Sequence, residues 1–212
     1  MSLFRFIPMT LLLLSAGFLP VGTVMGEGGH VTYATTMLDH SPNPVNQKFR
    51  SLISQNQISA LRSYIASGVD INTMDAKRVS PIHYAAYLGN IEALRVLILR
   101  GVNLDAAAFG SWTPLHYAAF GGHVEACNLL AAMGIPIDAT DIGGETPLFY
   151  AIESGNLRLV KWFVEHGANV HHTNNDKETP IALAAKEGEG SPITKYLQEV
   201  GKQFEGKTGV QK

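Results

Sequence analysis

Apolar residues recur at helical spacing along most of the chain, with polar residues between them. Three segments place apolar residues at i, i+3 and i+4: 91–100, 124–133 and 157–166. This spacing predicts helices that each bury one face. A glycine follows each segment, at Gly101, Gly134 and Gly167, and glycine there favours the end of a helix. The upstream segment 49–67 shows the same pattern at Ile58, Leu61 and Ile65.

A tetrapeptide that occurs four times predicts a second set of helices. Its copies are Ser80-Pro81-Ile82-His83, Thr113-Pro114-Leu115-His116, Thr146-Pro147-Leu148-Phe149 and Thr179-Pro180-Ile181-Ala182. Successive prolines are 33 residues apart, and so are the glycines that follow, Gly89, Gly122, Gly155 and Gly188. Serine or threonine caps a helix N-terminus, and proline suits the first helical position because its missing N–H costs nothing there.

These residues resemble the ankyrin-repeat family, whose unit is a turn and two antiparallel helices with the signature T-P-L-H-x-A and a period of 33 residues. The resemblance covers about residues 45–205. It implies an all-α repeat fold, an ankyrin solenoid of stacked helix-turn-helix units joined by β-turn loops. About five repeats are expected, including the caps.

The repeat register predicts the domain boundaries. An N-terminal cap repeat at 45–74 precedes full repeats at 75–107, 108–140 and 141–173, and a C-terminal cap repeat follows at 174–206. The last helix, predicted at 193–204, is polar, as the exposed end of a stack must be. Residues 27–44 are expected to form a flexible leader and 207–212 a tail.

The first 26 residues have the pattern of a secretory signal peptide. Arg5 gives a positive start, Phe6 to Leu19 are mostly apolar, and small residues precede a predicted cleavage after Gly26. The apolar stretch is shorter than the roughly 20 residues that a membrane span needs. We therefore expect an exported protein, periplasmic or secreted, with no stable membrane span after cleavage.

Composition narrows the possible functions. A net charge of -2 gives no positive field for phosphates and argues against nucleic acid as a partner. Cys127 is the single cysteine and falls at a core position of a predicted second helix, where a thiol behaves as a small hydrophobe. The chain lacks the common catalytic sequence motifs. We therefore expect neither an enzyme nor a cofactor.

The eight histidines need a separate explanation. His83 and His116 occupy the histidine of the T-P-L-H signature, so the resemblance implies that they hydrogen-bond the adjoining turn. His171 and His172, with His166 nearby, form the only local group with metal-like chemistry. A metal-dependent enzyme that uses this cluster is therefore retained as a minor alternative.

The resemblance implies a protein or peptide partner, held on the concave side by turn tips and first helices. The residues that the repeat framework leaves open there are Lys77, Val79, Tyr87, Phe109, Trp112, Phe120, Ile142, Glu145, Glu153, Asp176 and Glu178. Aromatic residues gather in the first two full repeats, with Trp112 as the expected anchor. Acidic residues gather towards the C-terminus and favour a basic patch on the partner.

Two alternatives stay open at this point. Trp112 and Phe109 could fold back against a neighbouring turn instead of facing a partner. The chain could also be a dedicated inhibitor or regulatory subunit of an enzyme, with one tight partner, rather than a general interaction module. If Trp112 is an exposed anchor, replacing Trp112 and Phe109 by alanine should leave the thermal melt nearly unchanged.

Overall fold

The computed structural model describes residues 43–208, with side chains to residue 203. The predicted signal peptide and most of the predicted leader lie outside this range. The described residues form ten α-helices and no strands. The helices are α1 (Pro44–Ser54), α2 (Ile58–Ala66), α3 (Pro81–Tyr87), α4 (Ile91–Leu99), α5 (Pro114–Phe120), α6 (Val124–Ala132), α7 (Pro147–Glu153), α8 (Leu157–Glu165), α9 (Pro180–Glu187) and α10 (Pro192–Thr208).

The helices form five antiparallel pairs stacked in two layers. The first helices, α1, α3, α5, α7 and α9, pack side by side in one layer, and the second helices form the other. Leu94, Cys127 and Val160 occupy equivalent positions of α4, α6 and α8, and all three are fully buried. The prediction of an all-α repeat stack is therefore confirmed, and Cys127 is a core residue.

The Ser-Pro or Thr-Pro signature begins the first helices α3, α5, α7 and α9. In α5 the Thr113 hydroxyl accepts the backbone N–H of His116, while the His116 ring nitrogen Nδ1 accepts the backbone N–H of Thr113 at 3.1 Å. Nδ1 is thereby unprotonated, so Nε2 donates to the Glu145 carbonyl of the next repeat at 3.2 Å. His83 donates from Nε2 to the Ala106 carbonyl at 3.0 Å, at the end of its own repeat, and its ring also contacts the Trp112 carbonyl of the next repeat. These histidines join consecutive repeats.

Four turns precede the first helices α3, α5, α7 and α9. We call them turn 1 (75–79), turn 2 (108–112), turn 3 (141–145) and turn 4 (174–178). Each closes through the N–H of its first residue and the carbonyl of its last. Backbone hydrogen bonds of 2.8 to 2.9 Å also join each turn to the next. The N–H groups that donate belong to Phe109, Ile142 and Asn175.

The N-termini of the second helices tie the other layer together. Asn90 and Asn156 accept N–H groups of their own helices and donate to the Ile53 and Gly122 carbonyls of the preceding repeats. His123 stands at the equivalent position and contacts the Tyr87 carbonyl. Gly89 adopts φ +61°, and its missing Cβ leaves room for the His123 ring. The sequence repeat thus sets contacts in both layers.

Two predicted boundaries at the ends of the stack differ from the structure. The last helix runs over Pro192–Thr208, beyond the predicted 193–204 and into the predicted tail at 207. At the other end, α1 begins at Pro44, where the Asn43 side chain caps it by accepting the Val45 N–H. Among the described helices, none combines the length and apolar character needed to cross a membrane.

Candidate binding surface

Two apolar side chains project from neighbouring turn tips. Phe109 is 60% exposed and Ile142 is 65% exposed. The Ile142 N–H donates to the Gly110 carbonyl at 2.8 Å, so the two tips lie side by side. On turn 4, the Asn175 side-chain amide donates to the Ile142 carbonyl at 2.9 Å. We call Phe109 and Ile142 the tip pair, and both belong to the predicted partner-binding set.

Tyr87 and Phe120 form a second aromatic contact at the ends of first helices. Their rings stack at 6.1 Å with an interplanar angle of 28°, and both residues are half-buried. Partial burial raises the pKa of Tyr87. These two predicted residues therefore offer a partner one ring face or edge rather than a whole side chain.

Trp112 is buried, so its prediction as an exposed anchor is wrong. Only 5% of the residue is exposed. Its ring packs against Tyr117 at 5.3 Å, Phe120 at 5.7 Å and Tyr150 at 4.4 Å, while its Nε1 donates to the Asp141 carboxylate at 3.1 Å. The residue folds back against turn 3 and α7 and holds two repeats together.

The other residues immediately before the Thr-Pro or Ser-Pro step are also covered, which corrects three further predictions. Val79 is 1% exposed. The Glu178 side chain is 11% exposed and forms an ion pair with Lys186. Glu145 is half-buried and hydrogen-bonded to its neighbours. This position lies beneath its turn, against the helix that follows, and does not present a side chain to a partner.

Turn 3 carries a cluster of polar side chains that the sequence pattern did not predict. The Asp141 oxygen Oδ1 accepts the backbone N–H groups of Gly143 and Glu145 at 2.8 and 2.9 Å. Its other oxygen accepts the Tyr150 hydroxyl and the Trp112 N–H. The spacing of nine residues between Asp141 and Tyr150 could have indicated this contact, because Asp75 and Tyr84 have the same spacing. There too, the tyrosine hydroxyl donates to the carboxylate, at 2.7 Å.

Glu145 adds a second carboxyl group to this cluster. Its Oε2 lies 3.0 Å from the Tyr150 hydroxyl oxygen, and its Oε1 accepts the Asn174 amide at 3.2 Å. Burial raises the pKa of Glu145, and the nearby negative charge of Asp141 raises it further. Hydrogen bonds from Tyr150 and Asn174 act in the opposite direction and lower this pKa. Glu145 is therefore part of a buried junction between turns 3 and 4.

The remaining charged residues that were predicted to bind a partner lie at or partly below the surface. Glu153, at the end of α7, and Asp176, on turn 4, are exposed. Lys77, on turn 1, is half-buried, and that burial lowers the pKa of Lys77 while the Asp75 carboxylate raises it. Of the acidic residues predicted to bind a partner, Glu153 and Asp176 therefore have exposed side chains.

The predicted histidine cluster is divided among separate structural contacts. His172 donates from Nε2 to the Gly144 carbonyl at 2.8 Å, and its ring meets the edge of Phe149. His166 stacks on Trp162 at 4.1 Å, and His171 is exposed. Within residues 43–208, no three His, Cys, Asp or Glu side chains converge as metal ligands would.

Comparison with known families agrees with the helix pairs and the turns. A model of ankyrin repeats (3 copies) matches residues 51–141, and a second model of ankyrin repeats (many copies) matches residues 121–164 and 148–198. No curated protein sequence matches the chain. The matched residues span most of the five helix pairs, so the chain belongs to the ankyrin-repeat family.

Proposed function

We propose that this protein is a non-enzymatic interaction module that binds a protein or peptide through its turn tips and the adjoining first helices. Ankyrin repeats generally mediate protein–protein interaction. The observation that carries the proposal for this chain is the tip pair, because Phe109 and Ile142 each expose more than half of their surface on adjacent turns.

The free energy gained by burying apolar side chains favours the tip pair as the binding location. Burying an exposed large apolar side chain stabilises a complex by about 1.5–3 kcal/mol, and binding energy concentrates in a few such residues. The backbone hydrogen bonds between turns 2 and 3 fix the two tips next to each other. A partner therefore meets a positioned apolar pair without having to order the loops that carry it.

Other residues of the predicted partner-binding set suggest the chemistry of the partner. The stacked Tyr87 and Phe120 rings offer further half-exposed apolar surface. Glu153 and Asp176 add exposed negative charge, which favours a partner that carries basic residues beside its apolar ones. A segment of alternating apolar and basic residues fits this combination.

We also propose that the protein acts outside the cytoplasm. The support is the positive start at Arg5, the apolar stretch from Phe6 to Leu19 and the small residues before Gly26. A single buried thiol, Cys127, is compatible with an oxidising compartment because burial raises its pKa and keeps it unreactive.

The test is quantitative capture of partners by three versions of the chain from residue 27 onwards. The double variant Phe109→Ser with Ile142→Ser removes the tip pair. The matched control, Leu99→Ser, removes an apolar residue that is 77% exposed, more than either member of the tip pair, from the end of the second helix α4. We expect the unaltered chain and the control to capture the same proteins and the double variant to lose them. Equal capture by all three would contradict the proposed surface.

A further inference from the structure

The hydroxyl group of Tyr150, on α7, lies within hydrogen-bond distance of two carboxyl groups of turn 3. The Tyr150 oxygen is 2.5 Å from Oδ2 of Asp141 and 3.0 Å from Oε2 of Glu145. A phenol carries a single hydrogen and donates it to one acceptor. If both carboxyl groups were ionised, one of these two oxygen contacts would contain no hydrogen. Both oxygen contacts contain a hydrogen when one of the two carboxyl groups is protonated.

Glu145 is the group that fits this role. Asp141 already accepts two backbone N–H groups through one oxygen and the Trp112 N–H through the other, so both of its oxygens serve as acceptors. A proton on Glu145 Oε2 would point at the Tyr150 oxygen, while the Tyr150 hydroxyl donates to Asp141. The other Glu145 oxygen would still accept from Asn174 at 3.2 Å. All contacts in the cluster then have a donor and an acceptor.

The charged and titratable groups around Glu145 come from each neighbouring element. Asp141 lies on the same turn, Tyr150 on α7 and Asp176 on turn 4, and both acidic residues raise the pKa of Glu145. On α5, His116 donates to the Glu145 backbone carbonyl. Burial lowers the pKa of His116 and so favours a neutral ring. The strongest effect on the Glu145 pKa is burial, which raises it.

The corresponding positions of the other turns lack this arrangement. Turn 1 has Val79 where turn 3 has Glu145, and turn 2 has Ala108 where turn 3 has Asp141. In turn 4 the equivalent of Glu145 is Glu178, which pairs with Lys186. The carboxyl pair is thus particular to turn 3, whose tip carries Ile142.

We propose that Glu145 holds a proton in the folded protein and acts as a pH-sensitive latch that links turn 3 to turn 4 and α7. Ionisation of Glu145 places two negative charges around one hydroxyl and weakens the link. Since the folded state binds this proton more tightly than the unfolded state, the stabilisation is complete below the ordinary Glu pKa of 4.5. It is lost as pH rises through the higher pKa of the folded state. The latch would hold Ile142 more firmly in mild acid, and this effect on binding rests on the proposed function.

Thermal melts from pH 4.5 to 8 with the variant Glu145→Gln test this proposal. The amide keeps the neutral shape, so we expect similar melting temperatures at the acidic end and a gain of about 3 °C for the variant at pH 8. The matched control, Glu178→Gln, loses the ion pair with Lys186 and should show no such gain. A difference between Glu145→Gln and the unaltered chain that is constant with pH would overturn the proposal.

A direct titration covers the case in which the variant folds poorly. The side-chain carboxyl carbon of Glu145, followed by NMR in the unaltered protein, should titrate above the ordinary Glu pKa. Titration at or below that value would overturn the proposal. Neither measurement involves a partner. An ordinary titration of Glu145 would overturn the latch alone, whereas equal capture by the unaltered chain and the double variant Phe109→Ser with Ile142→Ser would overturn the proposed function alone.

Discussion

At the scale of single residues, exposure follows the place within the repeat rather than side-chain type. Phe109 and Trp112 are aromatic residues three positions apart in the same turn. Phe109 occupies the tip and is 60% exposed, whereas Trp112 precedes the Thr-Pro step and is 5% exposed. The turn closes through the Ala108 N–H and the Trp112 carbonyl, which directs the indole inward against the next repeat. The same closure covers Val79.

Replacing Trp112 by alanine should therefore destabilise the fold. We expect a loss of about 3–5 kcal/mol in the free energy of unfolding, typical of a buried tryptophan. The variant loses its contacts with Tyr117, Phe120 and Tyr150 and the hydrogen bond to Asp141. Urea denaturation measures this change. Phe109→Ala serves as the control and should change stability by no more than about 0.5 kcal/mol; similar losses for both variants would contradict these assignments.

At the scale of elements, three of the four turns are held by the same side-chain hydrogen bonds, and turn 2 is the exception. Asp75, Asp141 and Asn174 each accept two backbone N–H groups of their own turn through a side-chain oxygen. Turn 2 has Ala108 at this position and forms a short 3-10 turn, Phe109–Ser111, with φ +79° at Gly110 and +64° at Ser111. Turn 2 therefore presents Phe109 from the one loop of the four that lacks the internal side-chain acceptor.

The substitution Ala108→Asp should stabilise turn 2. The new carboxylate would accept the backbone N–H groups of Gly110 and Trp112 and the Tyr117 hydroxyl, by analogy with Asp75 and Tyr84. We expect a gain of about 1 kcal/mol in the free energy of unfolding. Chemical denaturation measures it.

Ala108→Asn is the matched control for this substitution, because it supplies an oxygen for the backbone, as Asn174 does, without a charge for the tyrosine. It should gain less than Ala108→Asp. If both variants destabilise the protein, the 3-10 form of turn 2 does not tolerate a side-chain acceptor.

At the scale of the whole molecule, buried histidines make the stack sensitive to acid. His83 is fully buried, and burial lowers its pKa from 6.5 to about 4. The pKa of His116 is lowered for the same reason. Each neutral ring bridges its helix N-terminus and a backbone carbonyl further along the chain, that of Ala106 for His83 and that of Glu145 for His116. Protonation requires Nδ1 to become a donor and breaks the contact with the backbone N–H at the helix start.

The unaltered protein should therefore lose stability as pH falls from about 6.5 towards 4. Because the unfolded state binds the His83 proton more tightly, its contribution is present above pH 6.5 and falls by up to about 3 kcal/mol at acid pH. Urea denaturation at a series of pH values measures this slope. His83→Phe, which reproduces the residue found at Phe149, should be less stable at pH 7 and less dependent on pH between 4 and 6.5. An unchanged slope would exclude His83 as its source.

Sequence spacing determined the repeat architecture. The 33-residue interval, the Thr-Pro helix starts and the glycine stops depend on local backbone preferences, so the second helices α4, α6 and α8 end within one residue of their predicted limits. The buried place of Cys127 followed from register alone. The tips Phe109 and Ile142 were also placed in turns by register, because a 33-residue period relates them directly.

Only the tertiary structure decided which turn residues face a partner and which support the stack. Register assigns Val79, Trp112, Glu145 and Glu178 to one repeat position but cannot tell how far the next repeat covers it. That depends on contacts between residues about 30 positions apart, such as Trp112 with Asp141 and Glu145 with Asn174. The sequence alone thus determined where each residue stands in its repeat, and the packing of one repeat on the next decided what that residue touches.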